Sequence, residues 1–361
     1  MSPVGVGLIG AGTISDTYLE NLTSFPDVQV RFVADLDTGR AAAQAAKFNV
    51  PRSGTGAELL ADEDLELVVN LTIPAAHVEV GLAALEAGKH VWSEKPLALD
   101  RQNARKLLDQ AMQKGLRVAC APDTILGAGF QSARRALPRI GQPQSGLALF
   151  QTPGPESWHP SPEFLFQAGG GPLLDMGPYY LTALVQLFGP IRKVTGAGGQ
   201  SRKTRVIGSG PRAGTEFAVT VPTTVTALIE FESGGSAQLV LSFDSALRRV
   251  GVLEVTGTAG TLVVPDPNRF DGASVLHVSD DQEELSPQGH QASRGTGALE
   301  LARAIRNNEP ERASGELAYH VLDAMLAIDE SIIRGRSVDV ESRVEVPPPL
   351  PADWDPYTST L

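Results

Sequence analysis

The stretch Val4-Gly5-Val6-Gly7-Leu8-Ile9-Gly10-Ala11-Gly12-Thr13-Ile14-Ser15 decides the fold. Its first six residues are a short apolar run of strand length. Gly10 and Gly12 follow at once, with Ser15 in the third small position of a dinucleotide-binding fingerprint. Gly10 permits a tight turn, and Gly12 lets the backbone approach a pyrophosphate. A helix starting near Thr13 turns its unpaired N–H groups and its dipole toward that anion, which makes Thr13 and Ile14 contacts as well. Ser15 is larger than Gly or Ala, so the sequence predicts a slightly looser helix–strand contact there.

The next strand, 28–34, ends at Asp35. An acidic residue at that place can accept hydrogen bonds from the adenosine ribose. The alternative is a helix cap, since Asp35 and Asp37 both precede the Ala-rich run 40–48. A carboxylate at Asp35 repels a 2′-phosphate and favours NAD over NADP, while Arg40 nearby softens the preference and leaves NADP possible. Strands at 65–71, 89–92 and 116–121 alternate with helices at 77–87 and 101–114, the latter capped by Asp100. Short connections between alternating strands and helices mean a doubly wound parallel sheet. Thr72, Pro74 and His77 fall at a strand's carboxyl end, beside the expected cofactor path. His77 either packs and caps its helix or touches the ligand.

Lys89-His90-Val91-Trp92-Ser93-Glu94-Lys95-Pro96-Leu97 is the chemically loaded part of this half. In an open parallel sheet, ligands bind outside the carboxyl ends of the strands, which is where Glu94 and Lys95 stand. Pro96 restricts Lys95 to extended geometry and lowers the cost of a cis bond. The plain alternative is a strand-to-helix turn with a solvated lysine.

With 361 residues, the chain has room for two domains. A net charge of −12 and the lack of a basic block argue against a nucleic-acid surface. The single cysteine, Cys120, excludes an internal disulfide, and its apolar strand predicts a buried, inert thiol. The sequence shows no secretory leader and no run of 18 apolar residues, so a soluble cytoplasmic protein without membrane association is expected. No metal site is expected.

Together, Gly10-Ala11-Gly12 with Asp35, Thr72-Ile73-Pro74-Ala75-Ala76-His77, Ala87-Gly88-Lys89-His90-Val91 and Glu94-Lys95-Pro96 resemble the Gfo/Idh/MocA family of NAD(P)-dependent oxidoreductases. The resemblance implies an α/β Rossmann domain, 1–121, and an α+β domain, 122–361, with a large open, mainly antiparallel sheet. Late helices, about 298–334, would pack back on the first domain. It places Lys95 beside the nicotinamide and on the substrate hydroxyl that loses its proton, with a cis peptide to Pro96.

In the second half, strand-like runs fall at 147–152, 193–198, 216–220, 224–231, 237–243, 251–257, 260–264 and 273–277. A helix spans 127–137, another about 177–188, and further helical spacing covers 299–307 and 316–334. The polar stretch 280–296 predicts a mobile loop, and 346–351 an extended proline-rich segment. Part of one sheet face would serve as the interface of a homodimer or homotetramer. Asp123, Thr124 and Gln131 either bind substrate hydroxyls or cap and pack. Arg134 and Arg135 read as solvated or as oligomer contacts, and His320 as a packing residue.

Gly169-Gly170-Gly171-Pro172-Leu173-Leu174-Asp175-Met176-Gly177-Pro178-Tyr179-Tyr180 resembles the family's second motif, with Tyr179 where a histidine is expected. Asp175 and Tyr179 are four apart and share a face if helical. A tyrosine with an ordinary pKa of about 10 is a poor base near neutrality. Either Lys95 is itself the base, or His159 in Glu156-Ser157-Trp158-His159-Pro160 reaches the reacting group from a lid. Trp158 can stack on the apolar face of a sugar, and Tyr180 is a further substrate contact. The combination of these motifs resembles a recurring variant within the family.

The resemblance thus implies hydride transfer between nicotinamide and a secondary alcohol or ketone of a sugar, sugar derivative or cyclitol. One alternative is a transient-oxidation glycoside lyase or hydrolase that retains NAD. Another is a non-catalytic NAD-dependent sensor.

Overall fold

The computed structural model describes residues 2–361. Two compact units share the chain. The first comprises 1–127, 289–319 and 350–361, and the second 128–288 and 320–349.

In the first unit, β1 (Val4–Ile9), β2 (Val28–Ala34), β3 (Arg52–Gly54), β4 (Leu67–Asn70), β5 (His90–Ser93) and β6 (Val118–Cys120) form one sheet in the order β3-β2-β1-β4-β5-β6. Every neighbouring pair is parallel. This is the doubly wound dinucleotide-binding topology. Both faces of β1 and β4 are buried, which is why these strands are continuous apolar runs rather than alternating ones. Between the strands run α1 (Ser15–Leu22), α2 (Thr38–Lys47), α3 (Gly56–Leu60), α4 (His77–Glu86) and α5 (Arg101–Lys114). Local chemistry sets their ends. Asp37 caps α2, Thr55 and Glu58 form a reciprocal capping box on α3, and Asp100 caps α5, which stops at Gly115 with φ +65°.

The second unit is built on a sheet of nine strands. They are β7 (Pro143–Gln151), β8 (Ile191–Gly199), β11 (Thr224–Phe231), β12 (Ser236–Ser242), β13 (Arg249–Gly257), β14 (Thr261–Val264), β15 (Ser274–Val278), β16 (Asp281–Leu285) and β17 (Val338–Asp339). Their order is β16-β15-β14-β13-β7-β12-β11-β8-β17, and β9 (Thr204–Val206) pairs separately with β10 (Glu216–Ala218). The sheet is mainly antiparallel, as expected, but β7 and β12 are parallel. That β16 is a strand corrects the reading of 280–296 as a mobile loop: its polar side chains are exposed, yet its backbone pairs with β15 from Ser274 to Val278.

Helix α6 is Ala128–Ala136 and α7 is Gly171–Phe188. The latter starts six residues earlier than its apolar spacing suggested, because Pro172 sits in the first turn, where its missing N–H costs nothing. It packs on β7, β11 and β12, with Phe188 stacked on Phe231 at 4.6 Å. Leu228 lies on the uncovered face of β11 and is 45% exposed.

Two further helices close the chain, α8 (Thr296–Asn307) in the first unit and α9 (Gly315–Arg334). Helix α8 lies wholly in the first unit, and α9 begins there with residues 315–319. From His320 onward α9 belongs to the second unit, where Ser331 Oγ accepts the Gly196 N–H at 2.8 Å. His320 is a packing residue there. Its Nε2 accepts the Ile191 N–H, and burial lowers its pKa to about 4. Arg134 is not solvated: it is buried and donates to the Pro347 carbonyl at 2.6 Å, which holds the proline-rich segment. No described helix is long and apolar enough to cross a membrane.

Candidate active site

Gly10, Asp35 and Glu94 directly follow β1, β2 and β5, and Thr72 comes two residues after β4, so they line the carboxyl edge of the first unit's sheet. Gly10 has φ +107°, and a Cβ there would lie 2.6 Å from the Leu71 carbonyl. No other residue type makes this turn without shifting backbone. A Cβ at Gly12 would meet nothing within 4 Å, so its outward side is open. The start of α1 lies just beyond, where the Ser15 N–H bonds the Gly12 carbonyl at 3.0 Å and the Asp16 N–H that of Thr13 at 3.4 Å. Ser15 produces no slack. It is fully buried, donates to the Gly12 carbonyl at 2.6 Å and accepts from Gln44 at 2.9 Å.

The two readings of the acidic pair separate. Asp37 caps α2 through the Arg40 N–H, whereas Asp35 faces the glycine loop and accepts the Ala11 N–H at 2.7 Å. Its other oxygen accepts from the Asp37 N–H at 2.9 Å and pairs with Arg40 at 3.1 Å. The open glycine loop, the helix start and this carboxylate fit a dinucleotide.

Thr72 donates from Oγ1 to the buried Asn70 at 2.7 Å, and Pro74 opens a short 3-10 turn that leads into α4. His77 takes the packing alternative. It is 1% exposed, and its two ring nitrogens lie 2.7 Å from the Pro96 carbonyl and 3.0 Å from that of Thr72. Its place is therefore behind the edge rather than against a ligand, and burial lowers its affinity for a proton.

Glu94 and Lys95 are both half-buried, and the Lys95–Pro96 peptide is cis. One Glu94 oxygen accepts the Lys95 N–H at 3.0 Å, and the other accepts the Tyr18 hydroxyl at 2.8 Å. Cys120 is buried as expected, with its thiol directed at the Glu94 carbonyl and its pKa pushed well up by burial.

Asp123 takes the capping alternative. It is fully buried and accepts the N–H groups of Gly295 at 2.8 Å and Gly297 at 3.3 Å, which caps α8. Burial pushes its pKa up to about 6, against the attraction of Arg294 at 3.6 Å. Thr124 is fully buried too, and Gln131 in the second unit is 2% exposed, so neither presents its side chain to solvent.

In the second unit, α7 carries Asp175, which is half-buried, and Tyr179, which is 5% exposed. The adjacent Tyr180 is fully buried, and its hydroxyl accepts the Gly251 N–H at 2.9 Å. It anchors β13 instead of binding substrate, and burial raises its pKa. Trp158 is 62% exposed, and the His159 ring lies between Trp158 and Phe164 at centroid distances of 5.6 and 5.5 Å. His159 Nδ1 accepts the Ser161 N–H at 3.0 Å, so while that bond holds, Nε2 is the ring nitrogen left to face other groups. The loop is not loose, because Glu156 pairs with the buried Arg205 and its carbonyl accepts the Gly208 N–H at 2.7 Å.

Sequence reasoning missed three residues. Leu36 and Ile73 follow β2 and β4, the strands flanking β1, and are 105% and 69% exposed. Apolar residues just past two strand ends of this edge are a signal that the sequence carries. Tyr18 left no such signal, because its partner Glu94 lies 76 residues away.

Residues 4–121 match the profile described as "Oxidoreductase family, NAD-binding Rossmann fold", and residues 130–263 match the Gfo/Idh/MocA C-terminal domain. The trans-1,2-dihydrobenzene-1,2-diol dehydrogenase of Mus musculus is 27% identical over 78% of this chain and 79% of its own length. The 1,5-anhydro-D-fructose reductase of Ensifer adhaerens is 26% identical over 93% of this chain and 98% of its own. Among solved structures, a levoglucosan dehydrogenase in complex with NADH and L-sorbose shares the fold with a TM-score of 0.81 and 22% identity, covering 95% of this chain and 100% of the other. On the two profile matches and the sheet-edge geometry that accompanies them, the chain belongs to the Gfo/Idh/MocA family of NAD-binding oxidoreductases.

Proposed function

We propose that the protein oxidises or reduces one secondary alcohol or ketone of a sugar, sugar derivative or cyclitol. The observation that carries this reading is the Glu94-Lys95-Pro96 turn at the carboxyl end of β5, on the same sheet edge as the open glycine loop. Names of relatives support the substrate class: they act on a cyclic diol, an anhydro-ketose and, by structural likeness, an anhydro-sugar.

Gly10, Gly12, Thr13 and Ile14 hold the pyrophosphate, and Asp35 the adenosine ribose. Leu36 and Ile73 enclose the adenine, while Thr72, Pro74 and Glu94 border the path toward Lys95. NAD, when bound, supplies the hydride acceptor or donor. Lys95 hydrogen-bonds the reacting hydroxyl and takes or shares its proton at Nζ, which converts orientation into rate. Asp175 and Tyr179 contribute to holding substrate, with Trp158 as a stacking surface. A second copy of the chain on the uncovered face of the large sheet belongs to the same reading.

The test is a panel of aldoses, inositols and anhydro-sugars with NAD and NADP, followed at the NADH absorbance. With the alcohol turned over fastest, Lys95→Ala is expected to lose roughly 10²–10⁴-fold in kcat while still binding NADH. Full turnover in Lys95→Ala would sink the assignment.

A further inference from the structure

We propose that Tyr18 and His77 are positioning residues that set where the Lys95 ammonium stands. The turn that carries Lys95 is gripped from two sides. On one side, the fully buried Trp92 donates its Nε1–H to the Tyr18 hydroxyl at 3.1 Å. Tyr18 in turn donates to Glu94 at 2.8 Å, and the second Glu94 oxygen accepts the Lys95 N–H at 3.0 Å. Burial and the nearby carboxylates of Glu94 and Asp123 hold the Tyr18 hydroxyl protonated, so it stays a donor. The Glu94 carboxylate can then reach back to its neighbour's backbone in one orientation only.

On the other side, His77 stands under the carbonyl of Pro96. Its Nδ1 lies 2.7 Å from that carbonyl, which can only accept, so His77 is the donor in this contact. His77 also belongs to β4's exit, since its own carbonyl accepts from the buried Asn70 at 3.0 Å and the Glu94 N–H bonds the Asn70 carbonyl at 2.9 Å. Tyr18, His77, Trp92 and Asn70 are each 1% exposed or less, so water does not compete for these bonds. A lost partner leaves a buried polar group unsatisfied, and the turn must shift to relieve it. The network fixes the Lys95 backbone on both sides of its Cα, and the long side chain extends from that fixed point.

This inference rests on the reading of Lys95 as the residue at the reacting hydroxyl, but its test needs no substrate. The full chain is acetylated with a trace of acetic anhydride at a series of pH values, and Lys95 is quantified by peptide mass spectrometry against the exposed Lys106 as internal standard. Tyr18→Phe and His77→Leu are each expected to change the Lys95 rate at least threefold at pH 8 and to displace its pH profile. His77→Gln, which keeps a donor, is expected to return toward wild type. Glu94→Gln gives the same readout if either variant fails to fold. Folded variants whose Lys95 rate and pH profile equal those of wild type would overturn the proposal. A Lys95→Ala enzyme with full turnover would instead overturn only the proposed function.

Discussion

The Asp123 carboxylate, at the end of the β6 segment, accepts the backbone N–H of Gly295 at 2.8 Å, across 172 residues of sequence. A group that reads as a substrate ligand is spent on the N-terminus of α8. Its pKa of about 6 lies above the ordinary carboxylate value near 3.9, and burial is the largest cause. The folded state therefore holds this proton more tightly than the unfolded chain. Its stabilising effect is complete below about pH 4 and is lost as pH rises through about 6. Asp123→Asn keeps an acceptor for Gly295 and removes the charge. Urea unfolding from pH 4 to 7.5 should show the variant gaining on wild type by about 1–3 kcal/mol across that window. A wild-type slope in the variant would contradict the assignment.

Arg40 beside Asp35 bears on the choice of dinucleotide. The 3.1 Å pair is half-exposed on the arginine side, so it is free to exchange partners at low cost. Arg40→Ala should leave a bare carboxylate that discriminates more strongly against a 2′-phosphate. The ratio of dissociation constants for NADPH and NADH, read by nicotinamide fluorescence, should rise about tenfold, which is ~1.4 kcal/mol. An unchanged ratio would mean that Asp35 alone sets the preference.

Asp27 and Arg303 bind the last residues of the chain to the Rossmann unit. Both are buried, with Arg303 Nε at 2.7 Å from Asp27, and its other nitrogens donate to the carbonyls of Asp355 and Thr358. Burial raises the Asp27 pKa, but bonds from Thr360, Arg303 and Ser359 outweigh it, and the net value is lowered. Its contribution is thus present above the unfolded value of about 4 and disappears as pH falls through the folded one. Arg303→Met leaves a buried carboxylate short of its charged partner and should cost about 3–5 kcal/mol. Limited proteolysis should then clip the segment 350–361 first. Resistance equal to wild type would show that the tail is held by other contacts.

Much of the first unit was legible in the sequence because its signals are local. The apolar run 4–9, the glycines after it, Asp100 before α5 and Gly115 after it each act within a few residues, so chain order alone specifies them. The same holds for Lys95, whose place at a strand's carboxyl end follows from the alternation of elements. The start of α7 is not legible in sequence, because Pro172 breaks a helix anywhere but in its first turn, and only the fold puts it there. Strand β16 is not legible either, because edge pairing needs only backbone, and its polar side chains carry no trace of it.

Tertiary structure decided which polar residues face a ligand edge and which are consumed inside. Asp123, His77 and Tyr180 have the residue types of a site, yet each is buried and bonded to backbone that arrives from elsewhere in the chain or the turn. Tyr18 has no motif and nevertheless holds Glu94. The sequence by itself determined a dinucleotide-binding sheet with Glu94, Lys95 and Asp35 on its carboxyl edge. Only the folded chain assigned donors to acceptors, because a hydrogen bond depends on distance in space, which strand pairing and helix packing set between residues far apart in sequence.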